Sequence, residues 1–211
     1  MNNIQQVDIY MNNIQQGYNN TMSHKKRICV GLVGPTHHFE YAIRNHIEYL
    51  YDSLHNDYVE VAISTTPGEN FQHICASLQP SFIDTMSISV PEAQARILEY
   101  CQGESFDTCI LLRFDVLLER HYSTFAILNR GIYFPSMRED GGVEEGFYVI
   151  HKDMYTKAIE GFRAILLNTL SYRYLCKFFH SDDVRLMGVP GTVCIHQKDA
   201  QNPNVNPLLT V

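Results

Sequence analysis

Short apolar runs alternate with amphipathic stretches along most of this chain, beginning at Lys25. The apolar runs are rich in β-branched residues and end at glycine, proline or threonine. This pattern is typical of buried strands that are followed by loops. The predicted strands span residues 27–33, 58–65, 82–90, 106–118, 131–134, 147–151 and 192–196.

Between these runs, apolar side chains recur at close to helical spacing. The predicted helices span residues 39–54, 70–78, 91–101, 122–129, 153–167 and 171–179. Alternating strands and helices predict a single α/β domain, with a mainly parallel central sheet that is flanked by helices and joined by right-handed crossovers. In such a sheet ligands bind beyond the carboxyl ends of the strands, so the search for a site begins there.

The two ends of the chain lack this pattern. Residues 1–24 contain the segment MNNIQQ twice, at Met1 and at Met11, and show no apolar periodicity. Residues 201–211 are polar and contain proline. The sequence therefore predicts a disordered N-terminal tail at 1–24, the α/β domain at 25–200, and a polar tail or linker at 201–211.

Composition narrows the function classes. Apolar residues make up 45 % and charged residues 18 % of the 211 positions, an ordinary globular balance. The 16 Lys and Arg against 23 Asp and Glu give a net charge of −7, which argues against a nucleic-acid partner because duplex binding needs a basic surface. No apolar run approaches the roughly 20 residues of a membrane span, and the first positions lack the apolar core of a signal peptide. We expect a soluble, cytoplasmic protein.

Six cysteines are spread along the chain without a C-x-x-C pair, and several lie in apolar runs. This arrangement predicts buried free thiols rather than a zinc site or a disulfide framework. The six are Cys29, Cys75, Cys101, Cys109, Cys176 and Cys194.

The most informative polar residues interrupt the strand predicted at 106–118. Arg113 and Asp115 stand in a nearly continuous apolar run, where a charge is costly unless it is paired, hydrogen-bonded or bound to an ion. Strand alternation places both on one face and Phe114 on the other. Asp115 could hold Mg²⁺ or Mn²⁺ against a diphosphate. The alternatives are an internal Arg–Asp pair, or a strand end that reaches water.

A second candidate is the segment Gly34, Pro35 and Thr36, which follows the first strand. It could present backbone N–H groups to a phosphate, with the dipole of the next helix behind them. The segment has neither the spacing G-x-G-x-x-G nor the lysine of a Walker A loop. An ordinary strand-to-helix turn is therefore the alternative.

Two further candidates lie near the C-terminal half. Glu144 and Glu145 precede a predicted strand. One of them could be the general base for a sugar hydroxyl, or could bind the acceptor. The alternative is that both lie in a solvated acidic loop. His196 could add a nitrogen ligand to a metal held by an aspartate, with His180 as its rival. Either histidine could equally be a plain surface or core residue.

The order of these segments resembles that in small GT-A-type glycosyltransferases of bacteria and large viruses. The match spans roughly residues 25–167 and includes RICVGLVGPTHHFEYAIRNHIEYLYDSL, VEVAISTT and ESFDTCILLRFDVLLE. In it an R-x-D, Arg113 to Asp115, stands where other GT-A enzymes have D-x-D. The resemblance implies a GT-A-like fold with a Rossmann-type nucleotide-binding half.

The same resemblance implies roles on the donor side. Asp115 would bind a divalent metal, Mn²⁺ or Mg²⁺, together with the donor diphosphate. Arg113 would brace the site or contact a phosphate, and the segment Gly34–Pro35–Thr36 would lie against the nucleotide. Because position 113 is Arg instead of Asp, strict metal dependence and the choice between inverting and retaining chemistry stay open.

On the acceptor side, the resemblance implies that Glu144 or Glu145 faces the acceptor hydroxyl and that His196 is a late metal ligand. The expected reaction is transfer of a hexose or pentose from a nucleotide-sugar donor to a hydroxyl of a glycan acceptor. One alternative is a nucleotidyltransferase, which would share Asp115 and the metal but release pyrophosphate. The other is a non-catalytic α/β domain that binds a glycan or a protein.

Overall fold

The computed structural model describes residues 25–36, 39–54, 57–118, 130–135, 142–143, 146–187 and 192–194. The predictions for the tails at 1–24 and 201–211, and for a helix at 122–129, concern residues outside these ranges. The same holds for the candidate site residues Glu144, Glu145 and His196.

Nine strands lie in the described part of the chain. They are β1 (Arg27–Val33), β2 (Tyr58–Ser64), β3 (Phe82–Asp84), β4 (Thr108–Arg113), β5 (Val116–Leu118), β6 (Ile132–Phe134), β7 (Phe147–His151), β8 (Val184–Leu186) and β9 (Thr192–Cys194). Seven of them form one sheet in the order β3-β2-β1-β4-β7-β6-β8, while β5 and β9 form a separate antiparallel pair.

The sheet is mixed. β1 pairs in parallel with β2 and with β4, β2 pairs in parallel with β3, and β6 pairs in parallel with β8. β7 runs antiparallel to both of its neighbours, β4 and β6. The expected α/β class is confirmed, and the parallel pairings are concentrated in the half of the sheet that contains the first four strands.

Four α-helices flank this sheet in the described residues: α1 (Phe39–Tyr49), α2 (Phe71–Leu78), α3 (Val90–Gly103) and α4 (Tyr155–Leu166). Short 3₁₀ turns follow or precede them at Tyr51–Leu54, Lys152–Met154, Tyr172–Phe178 and Ser181–Asp183. No helix in the described ranges is long and apolar enough to cross a membrane.

Two predicted strands are longer than the observed ones. The strand expected at 82–90 ends at Asp84, because the Asp84 carboxylate accepts hydrogen bonds from the Met86 N–H (3.0 Å) and the Ser87 hydroxyl and thereby folds the chain into a turn. The strand expected at 106–118 is divided into β4 and β5 by a turn at residues 114–115. The edge strand β8 was not predicted, since its three residues are too few to give a periodic signal.

The apolar residues of the parallel strands pack on both faces of the sheet, as their unbroken hydrophobicity predicts. On one face, side chains such as Cys29 and Leu111 pack with residues of α3 and α4. On the other face, Val30 and Leu112 pack with residues of α1 and α2. The sheet is therefore covered by two helical layers, and polar groups are left to the strand ends.

Helix α3 crosses β1 at Gly31, and this close approach leaves no room for a side chain. A Cβ placed on Gly31 would lie 2.6 Å from Cγ2 of Ile97 and 2.9 Å from Cδ2 of Leu111. Both are far inside normal van der Waals contact. Glycine at this position thus sets the distance between the helix and the sheet.

We predict that Gly31→Ala destabilises the fold by about 1–3 kcal/mol, because the added methyl group overpacks the contact between α3 and β1. The measurement is the free energy of unfolding in urea. The matched control is Gly103→Ala at the end of the same helix, where a Cβ meets no atom within 4 Å. Equal stability of the two variants would contradict this explanation of Gly31.

Candidate functional site

A cleft of about 620 Å³ opens at the carboxyl ends of β1, β2 and β3. Gly34, Pro35 and Thr36 form part of its wall. The remainder is rich in hydroxyl groups, contributed by Ser64, Thr65, Thr66, Ser87 and Ser89. Among the described residues that line the cleft, Glu69 is the one with a charged side chain.

Three helices begin at this cleft, because each follows one of the three parallel strands. Thr36 accepts the backbone hydrogen bond from Phe39 that opens α1 (3.1 Å). Asn70 immediately precedes α2, and Ser89 caps α3 by accepting from the Glu92 N–H at 3.4 Å. Helix N-termini carry unpaired N–H groups and the positive end of the macrodipole. The cleft is consequently suited to an anionic group.

The loop after β1 has a fixed conformation. Gly34 has φ +87°, a left-handed conformation that favours glycine over other residues. Its carbonyl accepts a hydrogen bond from the Thr65 hydroxyl at 2.6 Å, which ties the end of β1 to the end of β2. Thr36 is 5 % exposed. The loop is thus held rigidly in the wall of the cleft.

Asp84 at the end of β3 organises the opposite wall. Its carboxylate accepts from the Ser64 hydroxyl at 2.6 Å, from the Ser87 hydroxyl and from the Met86 N–H. Burial alone would raise the pKa of Asp84, but these hydrogen bonds outweigh it and hold the pKa below its usual value. The carboxylate stays ionised and fixes two of the hydroxyl side chains that line the cleft.

Arg113 and Asp115 form a closed ion pair at the turn between β4 and β5. Arg113 donates from Nε to Oδ1 of Asp115 at 2.8 Å and from Nη2 to Oδ2 at 2.6 Å. Asp115 is 5 % exposed, and Phe114 between them is fully buried against Phe39, with ring centroids 5.6 Å apart. The two charged side chains lie together on one face of the sheet. As strand alternation predicts, Phe114 packs on the other face, with Val30 and Leu112.

The Arg113 side chain connects this turn to the wall of the cleft. A Cβ on Gly34 would lie 3.8 Å from Nε of Arg113, so the guanidinium stem lies against the loop after β1. On its other side, the Arg113 N–H donates to the Gly146 carbonyl at 2.9 Å. Gly146 directly follows Glu145 in the chain. Arg113 therefore lies between the loop after β1 and Gly146, which precedes β7.

The described residues supply only part of a divalent-metal site. Each carboxylate oxygen of Asp115 accepts one hydrogen bond from Arg113, and a carboxylate has about four lone-pair sites, so Asp115 can provide one metal ligand. In the described part of the chain, no second and third His, Cys, Asp or Glu lies close enough to Asp115 to complete a group of three. Further ligands would come from water, from a bound phosphate or from residues outside the described ranges.

Two residues of α1 hold β5 by its backbone. Asn45 donates from Nδ2 to the Leu118 carbonyl and accepts from the Leu118 N–H, both at 2.7 Å, as a neighbouring strand would. His46 is fully buried, with Nε2 2.7 Å from the Val116 carbonyl, so Nε2 carries the proton and donates. The strand that follows Asp115 is thereby fixed between α1 and β9.

The sequence pattern did not predict this clamp, by which Asn45 and His46 hold the backbone of β5. The only signal was that His46 occupies a core-facing position in the helical pattern of α1, where an imidazole needs a buried partner. Of the two histidines proposed as metal ligands, His180 is exposed and precedes β8, at the sheet edge opposite β3. The described structure does not bring His180 to the cleft.

We predict that stability falls as pH is lowered from 6.5 to about 4, because of His46. Burial lowers the pKa of His46 from 6.5 to about 4, against the opposing effects of the Val116 carbonyl and the Asp115 charge. Between these values the unfolded chain binds a proton that the folded chain excludes, so lowering the pH favours unfolding by up to about 3 kcal/mol.

The measurement is the free energy of unfolding across this pH range for the wild type and for His46→Gln. Glutamine retains a side-chain N–H donor for Val116 but does not titrate. The variant should show a shallower slope above pH 4, and an unchanged slope would assign the effect to other groups.

Solved structures share this fold. Glucosyl-3-phosphoglycerate synthase from Mycobacterium tuberculosis, in complex with Mn²⁺, UDP and glucosyl-3-phosphoglycerate, superposes with a TM-score of 0.51 at 11 % identity, over 92 % of this chain and 76 % of the synthase. The apo-form glycosyltransferase GlyE of Streptococcus pneumoniae superposes with a TM-score of 0.52 at 14 % identity, over 77 % of this chain and 44 % of GlyE. No protein-family model and no curated protein matches the sequence.

These likenesses establish a GT-A-like fold, with a mixed seven-stranded sheet flanked by helices. The structural neighbours are glycosyltransferases, and one of them was crystallised with Mn²⁺ and a nucleoside diphosphate. The chain spans less than half of GlyE and about three quarters of the synthase.

Proposed function

We propose that this chain is a glycosyltransferase that moves a hexosyl or pentosyl group from a nucleoside-diphosphate sugar to a hydroxyl of a glycan acceptor. Residues 25–200 would form the catalytic domain. The observation that carries the proposal is the cleft at the ends of β1, β2 and β3, where three helix N-termini meet among hydroxyl side chains. The GT-A-like fold of the glycosyltransferases that superpose on the chain supports it.

The cleft has the chemistry that a nucleoside diphosphate needs. Its hydroxyl groups, among them those of Thr66 and Ser87, can bond to a ribose or a base, and the helix N-termini favour the phosphates. Among the described lining residues the charged side chain is that of Glu69, so in this proposal the positive charge that offsets the phosphates comes from the helix dipoles, from Arg113 or from a divalent ion. In this proposal Gly34, Pro35 and Thr36 lie along the nucleotide.

Arg113 is the residue that we assign to the leaving group. The bidentate pair with Asp115 fixes the guanidinium against the loop of Gly34, so little side-chain entropy is lost when a phosphate binds. A fixed cation at this place would favour the charge that develops on the departing diphosphate. The clamp from α1 onto β5 keeps Asp115, and through it Arg113, in position.

A divalent ion, Mn²⁺ or Mg²⁺, enters the proposal through Asp115, with His196 as the further ligand to which the sequence points. When bound it would neutralise charge on the diphosphate. The protein residues would bind the donor, orient the sugar and exclude water from it.

For an inverting reaction, Glu144 or Glu145 would act as the general base. The acceptor oxygen forms a bond to the anomeric carbon while the bond from that carbon to the diphosphate oxygen breaks, and the hydroxyl proton passes to the glutamate. Gly146 follows this pair and accepts a hydrogen bond from the Arg113 backbone, which supports placing the pair near the same site as Arg113.

The first test is thermal unfolding with a panel of nucleoside diphosphates and their sugars, each with and without Mn²⁺. A ligand that binds the folded state alone, at a hundred times its dissociation constant, adds about 2.7 kcal/mol of stability. We expect one nucleoside diphosphate to raise the melting temperature, to do so more with Mn²⁺, and to lose the effect in Asp115→Asn.

The matched control is Asp183→Asn, which weakens the partly exposed pair with Arg130 (3.6 Å) at the sheet edge opposite β3. This variant should keep the ligand-induced shift. A preference for a nucleoside triphosphate with release of pyrophosphate would favour a nucleotidyltransferase, and no shift with any nucleotide would favour a non-catalytic binding domain.

The second test concerns the base. For an inverting enzyme, either Glu144→Gln or Glu145→Gln should lower kcat about 10²–10⁴-fold, while the melting shift with the donor persists. The control is Glu160→Gln on the exposed face of α4, which should keep full activity. Full activity in both Glu144→Gln and Glu145→Gln would exclude a glutamate base at this pair.

A further inference from the structure

Three cysteines from three different secondary-structure elements meet inside the core. The Sγ atoms of Cys29, Cys101 and Cys109 all lie within 4.8 Å of one another, and all three residues are fully buried. The five described cysteines are free thiols. In the described residues this is the one place where three His, Cys, Asp or Glu side chains could hold a single ion.

Strand register and helix crossing create the cluster. Cys29 on β1 and Cys109 on β4 are directly paired positions of neighbouring parallel strands. Helix α3 crosses β1 with Ile97 over Gly31, and Cys101, one helical turn after Ile97, reaches the position over Cys29. Two strands and one helix thus each contribute one sulfur.

The three thiols shift one another's pKa values. Burial by itself would raise the pKa of the Cys101 thiol, but hydrogen bonds from the Cys109 and Cys29 thiols outweigh it and lower the pKa to about 6. Burial raises the pKa of Cys29 and of Cys109 well above the usual value.

Tyr155 is a further buried polar group in this region. Burial raises the pKa of its phenol well above the usual value, and interactions with Cys109, Cys101 and Cys29 raise it further. Tyr155 is 1 % exposed, and its hydroxyl has no hydrogen-bond partner among the described residues.

We propose that Cys29, Cys101 and Cys109 form a buried site for one soft, thiophilic metal ion, namely copper(I). Three sulfurs at about 2.3 Å from a central ion in a trigonal plane are about 4 Å apart, so the cluster needs to contract by less than about 1 Å. Thiolates select copper(I) and zinc(II) among common ions. Zinc(II) takes four ligands in structural sites, and the described residues offer three.

The charge balance also suits copper(I). When copper(I) binds, one thiol of the cluster loses its proton to solvent, and its sulfur coordinates the ion together with the other two sulfurs. The ion adds one positive charge and the released proton removes one, so the net charge of the buried cluster does not change. This avoids the cost of adding charge to an apolar core. The bound ion would tie α3 to β1 and β4 beneath the cleft.

The test uses the full chain carrying Cys75→Ser, Cys176→Ser and Cys194→Ser, so that the three clustered thiols remain. Reduced protein is titrated without oxygen against a coloured copper(I) chelator, both in the folded state and during refolding from urea. We expect one copper(I) per chain, a thiolate-to-copper absorption band and a higher urea midpoint. The unsubstituted chain should bind the ion with the same affinity.

Single changes of the clustered residues to alanine, Cys29→Ala, Cys101→Ala and Cys109→Ala, complete the design. Each folded variant should bind copper(I) at least a hundredfold more weakly, and testing three positions keeps the proposal falsifiable if one variant does not fold. Less than a tenth of an equivalent of copper(I) in both loading conditions, or an unchanged affinity in any folded alanine variant, would overturn the proposal. Binding of zinc(II) alone would overturn the assignment to copper(I).

Discussion

Parallel pairing of β1 with β2 and with β4 is the constraint on which the rest of this structure depends. Parallel neighbours require a crossover, and each crossover here returns through a helix. As a result, the N-termini of α1, α2 and α3 all meet at the carboxyl edge of the sheet. The cleft, its hydroxyl groups and its preference for anions follow from this geometry more than from any single residue.

A second requirement is that every polar group at the edge of the core finds a partner. The chain leaves β4 through a turn that buries Asp115, and Arg113 satisfies both of its oxygens. The short strand that follows has β9 on one edge and the side chains of Asn45 and His46 on the other. One helix therefore covers the core and holds the turn at the candidate site, which explains why polar residues occur on its buried face.

Sequence periodicity predicted most of the elements but not all of their limits. Unbroken apolar runs identified β1 and β4, because strands covered on both faces have no polar side to interrupt the pattern. The strand expected at 82–90 ends at Asp84. There the Asp84 carboxylate accepts hydrogen bonds from the Met86 N–H and the Ser87 hydroxyl, and these bonds replace strand pairing. The antiparallel direction of β7 was not predicted either, because apolar and polar residues alternate in the same way along parallel and antiparallel strands.

By itself, the sequence determined the α/β class, the Gly34 loop at the end of the first strand and the unusual charges of Arg113 and Asp115 in an apolar run, since burial and periodicity are local properties of the chain. The turn that places these two residues at the end of β4 was not predicted. Tertiary structure decided which groups meet. The clamp of Asn45 and His46 on β5 and the cluster of three cysteines each join segments about 70 residues apart. Such contacts depend on strand register and on the point where a helix crosses the sheet. The local hydrophobic pattern of the chain contains no information about either of them.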